Sequence, residues 1–307
     1  PQVHTVDINP GSGQSQAGVA GFTQAGRRLY FNAGDSQVGF ELRWIDANRP
    51  DNVHVVDVLE GARSSQAAAL RGTLVLGNDL YFIAGDPTGY FGLKRISVSA
   101  RKPSVENVLP LHGTASSNAG SYGGFTQVGQ TVYFSAFDLD RGYELRWVDA
   151  SQATPQVNTM DIKAGNASSF AGRYGGFTQV GNKLFFSAAD TEFGVELRWI
   201  NTNQTNPTLH TVDINPGKAN SLAGKYGGFT AVGTKLYFTA FEPRTGYELR
   251  WIDTAVARPT VHTVDLNAGR ASSYAGQISG FYAVDDKLFF DAQDTTYGNE
   301  LRWVDTT

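Results

Sequence analysis

The chain has 307 residues, with 25 Lys and Arg against 29 Asp and Glu for a net charge of −4. The cations are scattered without forming a stripe, which argues against nucleic acid as a partner. Cysteine is absent, so disulfides, thiolate metal sites and a cysteine nucleophile are excluded and the compartment is left open.

Read from the first residue, Pro1 to Asp7 carry neither a basic nor an apolar leader segment, and no apolar run along the chain approaches the ~18 residues of a membrane span. The first unit opens with the β pattern Val3 to Ile8, passes through a Gly/Ser-rich stretch to Leu29-Tyr30-Phe31-Asn32-Ala33, and reaches Asp35 and then Glu41-Leu42-Arg43-Trp44. The same pattern restarts at Val53, Val105, Val157, Leu209 and Val261, in steps of 50, 52, 52, 52 and 52 residues. A fixed period of this length marks units that bury their faces only against neighbours. The second unit carries Gly92-Leu93-Lys94-Arg95 where the others have Glu-Leu-Arg-Trp and is a degenerate copy.

The fourth unit shows the expected elements most plainly. Val157 to Ile162 reads as a strand, a Gly/Ser loop leads to Gly176 to Val180, and Gly181-Asn182 signals a hairpin into Lys183 to Ala188. A loop from Asp190 to Gly194 then enters Glu196 to Ile200. Four short antiparallel strands per unit and no helical period predict an all-β fold, a six-bladed β-propeller occupying residues 1–307 as a single domain. The chain begins with an outer-strand pattern and ends on the Glu-Leu-Arg-Trp strand. Val3 to Ile8 is therefore expected to complete the C-terminal blade and close the ring, an open solenoid being the alternative.

Repetition also bears on chemistry. Four of the five histidines, His4, His54, His210 and His262, share one outer-strand position, which favours a structural role over repeated metal ligation, and His112 stands apart in a loop. No GxSxG, HExxH, phosphate-binding glycine loop or calcium-loop motif occurs. No cofactor is expected, and the chain reads as a binding protein, not an enzyme. The recurring constellation is Glu41/Arg43/Trp44, Glu144/Arg146/Trp147, Glu196/Arg198/Trp199, Glu248/Arg250/Trp251 and Glu300/Arg302/Trp303. Alternation places Glu and Arg on one face of the strand and Leu and Trp on the other. Two readings stand: an interblade ion-pair network, or a sugar site in which Arg and Glu meet hydroxyls beside an aromatic wall.

A second repeated group lies in the loops between units, where Tyr122, Tyr174 and Tyr226 precede Gly-Gly pairs, and in loops opening with Asp35, Asp86, Asp138, Asp190, Glu242 and Asp294. These residues suit turns, and calcium at the acids would need carbonyl help because each blade offers one carboxylate.

The phrases Asp7-Ile8-Asn9-Pro10-Gly11, Asp213-Ile214-Asn215-Pro216-Gly217, Leu236-Tyr237-Phe238-Thr239-Ala240 and Gly246-Tyr247-Glu248-Leu249 resemble the ELWxxDGT (hyalin-like) repeats of bacterial surface and secreted proteins. The resemblance spans all six units and implies a propeller and an extracellular or secreted setting, while composition leaves a cytoplasmic one open. Tryptophan here follows Arg where that family has Glu-Leu-Trp, a shift that exchanges its face. The expected function is a multivalent lectin binding glycans between adjacent blades. A structural or adhesive platform with a protein partner is the alternative, and a hydrolase or lyase at the central channel a third reading.

Overall fold

The computed structural model describes residues 1–68, 73–108, 116–152 and 155–307. His112 and the loop residues Gly113 to Ala115 lie outside the described residues. Among the described residues there is no helix, and the strands form five four-stranded antiparallel sheets followed by a three-stranded one. These six blades span residues 23–56, 73–107, 125–160, 177–212, 229–264 and 281–305, each with its strands in chain order, an arrangement that fits a propeller-like fold.

The fourth blade shows how the sequence makes the sheet. Phe177–Val180 and Lys183–Asp190 pair with Val180 opposite Lys183, leaving Gly181-Asn182 as the whole turn. Gly181 has φ +58°, the conformation a two-residue hairpin asks of its first turn residue and one that glycine adopts freely. Lys183–Asp190 then pairs along its full length with Gly194–Asn201, and His210–Val212 adds the outer strand.

Both faces of the second to fifth sheets are buried, unlike the one-sided alternation of an open sheet. Leu184, Phe186 and Ala188 pack with Tyr133 and Leu145 of the third blade. Phe185, Leu197 and Trp199, on the opposite face, pack with Leu236, Phe238 and Ile252 of the fifth. Similar apolar layers join the first blade to the second, the second to the third and the fifth to the sixth. Each fully buried Leu or Phe in these layers contributes roughly 1.5–3 kcal/mol, so stability resides between the blades.

At the two ends of the array the expected closure of the ring is not shown. The sixth blade has three strands, and Val3 to Ile8 form no strand. Leu301 and Trp303 are 72% and 52% exposed, whereas Leu249 and Trp44 are 0% and 5% exposed. No ladder between the N-terminal segment and the last strand is present among the described residues. Thr5 to Ile8 instead line a cleft beside Arg43 of the first blade.

Candidate functional site

The Glu-Leu-Arg-Trp strand does not gather into one site; its three polar or aromatic members serve three different neighbours. Glu41, Glu144, Glu196 and Glu248 have no exposed surface. Glu196 accepts the Ile214 N–H at 2.9 Å and the Ser221 N–H at 2.8 Å, clamping the two ends of the loop that crosses to the next blade. Glu144 holds Ile162 and Ser169 at 2.9 and 3.0 Å, and Glu248 holds Leu266 and Ser273 at 2.9 and 2.8 Å. Glu41 takes Val58 and Ser65 at 3.0 and 2.7 Å, with the Ser65 hydroxyl donating as well. Burial pushes the Glu144 and Glu196 carboxyls up to about 7, against the pull of the serine and main-chain donors. Glu300, in the sixth blade, is exposed.

The arginines face the acidic loops. Arg43 reaches Asp35 at 2.7 Å, Arg146 reaches Asp138 at 2.5 Å, Arg198 reaches Asp190 at 2.8 Å, Arg250 reaches Glu242 at 3.6 Å and Arg302 reaches Asp294 at 2.6 Å. Arg146 Nε also donates to the Ala136 carbonyl at 3.2 Å and its terminal nitrogen to Thr159 at 2.8 Å, while Arg198 and Arg250 donate to Thr211 and Thr263. The other oxygen of each aspartate caps its turn: Asp190 accepts N–H groups of Glu192 and Phe193 at 2.9 and 2.6 Å. Burial would raise the carboxyls of Asp138 and Asp190, but arginine and the loop N–H groups outweigh it and hold them low. No cluster of three His, Asp or Glu suited to a metal occurs among the described residues.

The tryptophans point to the outer strand. Trp44, Trp199 and Trp251 stack on His54, His210 and His262 with centroids 3.9, 3.8 and 4.0 Å apart. Trp147 lies against Tyr133 at 6.3 Å. In the second blade Arg95 occupies the tryptophan position and pairs with Asp79 and Glu106. An outer cleft of about 310 Å³ lies between the fourth and fifth blades, where Arg250 and Glu242 meet Thr211 and Asp213.

The loop tyrosines are brought together. A Cβ on Gly123 would stand 2.9 Å from the Gly176 Cα, and one on Gly175 would stand 3.0 Å from the Gly228 Cα. The glycine pairs thus allow three successive crossing loops to touch, which sets Tyr122, Tyr174 and Tyr226 side by side on one face, each partly exposed. Tyr122 meets Tyr143 and Phe170 edge-on at 5.0 and 5.4 Å, with those two rings stacked at 5.7 Å. Tyr226 meets Tyr247 and Tyr274 in the same way at 5.1 and 5.4 Å, again with the latter pair stacked at 5.7 Å. Asn118 donates to the Tyr143 hydroxyl at 2.9 Å. Two cations lie over these rings. Arg173 is 5.8, 5.2 and 5.6 Å from the Tyr122, Phe170 and Tyr174 centroids, and Lys225 is 5.1 and 5.4 Å from those of Tyr226 and Tyr247. An equivalent groove between the first and second blades is lined by Gln16, Val19, Phe40, Ser64 and Gln66 without this aromatic build-up.

No family model matches the chain, and no curated protein matches it. Among solved structures the chain is similar to a puromycin-hydrolysing peptidase of Mycobacterium tuberculosis, with a TM-score of 0.45, 10% identity and coverage of 95% of this chain and 44% of that one. It is similar to a lectin of Burkholderia pseudomallei, with a TM-score of 0.42, 11% identity and coverage of 94% and 82%. One structure from a study of two prolyl endopeptidases gives a TM-score of 0.49 at 12% identity, covering 93% of this chain and 40% of that one. The chain spans less than half the length of these peptidases.

Sequence reading found Tyr122, Tyr174 and Tyr226 but missed Tyr143, Phe170, Arg173, Lys225, Tyr247 and Tyr274. One signal was available: an aromatic residue directly follows the glycine before the Glu-Leu-Arg-Trp strand at Tyr143 and Tyr247. Phe170 and Tyr274 have φ of +52° and +49°, a left-handed conformation that costs a non-glycine residue about 1 kcal/mol or more. Partly exposed ring faces, an amide and cations at one rim can stack on an apolar sugar face while donating to hydroxyls or carboxylates.

Proposed function

We propose that the protein is a non-catalytic, multivalent carbohydrate-binding protein whose sites lie between adjacent blades on the face of the crossing loops. The observation that carries this reading is the duplicated aromatic arrangement: Tyr122/Tyr143/Phe170 between the third and fourth blades recurs as Tyr226/Tyr247/Tyr274 between the fifth and sixth, with matching ring angles and distances. Core packing would not call for tyrosine at the rim, where each ring keeps part of its surface in water. Two such sites on one scaffold can raise avidity toward a clustered glycan by ~10² or more when the geometry permits both to engage.

The reading includes a closed ring, with Val3 to Ile8 lying beside Glu300 to Val304 as the outer strand of the sixth blade. Val3 to Gly11 matches Leu209 to Gly217 at every position but the first. The cleft lined by Thr5, Asp7, Ile8 and Arg43 has the residues of the cleft lined by Thr211, Asp213, Ile214 and Arg250. The N-terminal segment thus already keeps toward the first blade the relation that an outer strand keeps toward the next blade.

A glycan array followed by titration tests the function. Tyr226→Ala combined with Tyr122→Ala is expected to lower affinity for the array hits by about tenfold or more, at one to three kcal/mol per stacking ring lost, with the melting temperature within a few degrees of the parent. Unchanged affinity in the folded double variant rules these grooves out. A second reading, a protein-interaction platform, draws on the exposed Leu301, Trp303 and Tyr297 of the sixth blade, and an array without hits favours it.

A further inference from the structure

The rings and cations of the crossing loops form one continuous band, not isolated pockets. Arg173 contacts Tyr122 and Phe170 on one side and Tyr174 on the other. Lys225 lies over Tyr226 and Tyr247, with Tyr174 within its electrostatic reach. Ring and cation therefore alternate over the third to the sixth blade, and the touching glycine pairs leave no gap between successive loops. Both cations are exposed, and neither is joined to a carboxylate by an ion pair among the described residues. That sets them apart from the arginines of the Glu-Leu-Arg-Trp strands, all of which are paired.

We infer that the ligand is an acidic polysaccharide, a chain of sugars carrying carboxylates, which lies along this band with its carboxylates on Arg173 and Lys225 and its sugar faces on the intervening tyrosines. The inference rests on the carbohydrate-binding reading and narrows it. A neutral glycan would need no unpaired cation, and an exposed cation held among aromatic faces is a donor still free to take a charged acceptor. A polyuronate presents carboxylates separated by apolar ring faces, the same alternation that the band presents. A single-stranded nucleic acid also pairs bases with rings, but it carries a phosphate at every nucleotide and is normally met by a cationic groove. Two cations on a chain of net charge −4 do not supply one.

The test uses the full chain and three probes: an oligogalacturonate of about ten sugars, a neutral cello-oligosaccharide and oligo(dT), each titrated at low and raised salt. Expected is selective binding of the oligogalacturonate that weakens by about tenfold or more between about 50 and 500 mM salt, as screening of exposed charge requires. Affinity rises with oligomer length from two sugars to ten, which separate pockets would not produce. Arg173→Gln combined with Lys225→Gln, both at exposed positions, is expected to cost about tenfold or more in affinity for the acidic oligomer and to leave the melting temperature unchanged. Equal binding of neutral and acidic sugars, unaffected by the double variant, overturns the acidic assignment while leaving carbohydrate binding standing. Preference for oligo(dT) overturns it in favour of nucleic acid. No binding of any sugar overturns both this inference and the function it narrows.

Discussion

A carboxylate with no exposed surface that accepts two main-chain N–H groups is a structural joint, because removing it leaves donors that water cannot reach. Glu196→Ala strands the N–H groups of Ile214 and Ser221 and is expected to cost about 2–3 kcal/mol in urea unfolding, with Glu196→Gln milder because an amide oxygen still accepts. The same carboxyls set a pH dependence. Burial raises Glu144 and Glu196 from 4.5 to about 7 in the folded chain, so the folded state binds their protons more tightly than the unfolded one. Their contribution to stability is complete below 4.5 and is lost as pH rises through about 7. Asp138 and Asp190 act in the opposite sense: held below 3.8, they lend stability that is lost as pH falls through that depressed value. Melting temperature is thus expected to peak on the acid side of neutrality and decline toward pH 7, and Glu196→Gln should flatten part of that decline. Arg146→Ala leaves Asp138 partly buried without its cation and is expected to destabilise by about 3 kcal/mol, while the folded fraction keeps its glycan affinity. Loss of affinity at unchanged stability would move the site back to the Glu-Leu-Arg-Trp strand.

At the scale of the element, the crossing loop decides where rings go, and glycine decides how close two loops come. Gly175 has φ +71°, and a Cβ there would stand 2.7 Å from the Phe229 ring. Gly175→Ala is expected to lower the melting temperature by several degrees, from more than about 1 kcal/mol of strain, and to weaken glycan binding by parting Tyr174 from Tyr226. Binding that survives the variant unchanged would show that loop spacing does not matter. The strands themselves were legible: period, alternation and the Gly181-Asn182 turn gave the four strands of the fourth unit within a few residues, the first of them the outer strand of the third blade and the other three in the fourth. The partners of Glu196 and Arg198 were not, because alternation fixes the face of a side chain and not what meets it. The band was illegible for a related reason. Tyr122, Arg173, Tyr174 and Lys225 come from three separate repeats, and only contact between glycine pairs makes them neighbours.

Over the whole molecule, five apolar layers among the described residues join six blades, and the closed ring we propose calls for a sixth between the last blade and the first. Trp199 and His210 are ladder partners within the fourth blade, and Trp303 and His4 hold the same places in the repeat. A His4→Cys, Trp303→Cys pair is therefore expected to form a disulfide within the monomer under mild oxidation, since cross-strand partners lie within disulfide reach. Linked dimers would instead mean that copies exchange their first strands, and free thiols would mean an open array.

One position of the crossing loop repeats its backbone but not its side chain. Gln16, Gln66, Asn118, Phe170, Leu222 and Tyr274 all have φ between +44° and +52°, although glycine would relieve the strain. The frame at that place is constant while amide, aliphatic and aromatic groups take turns on it. Six repeats thus hold one left-handed backbone position in common and vary only the side chain that it presents.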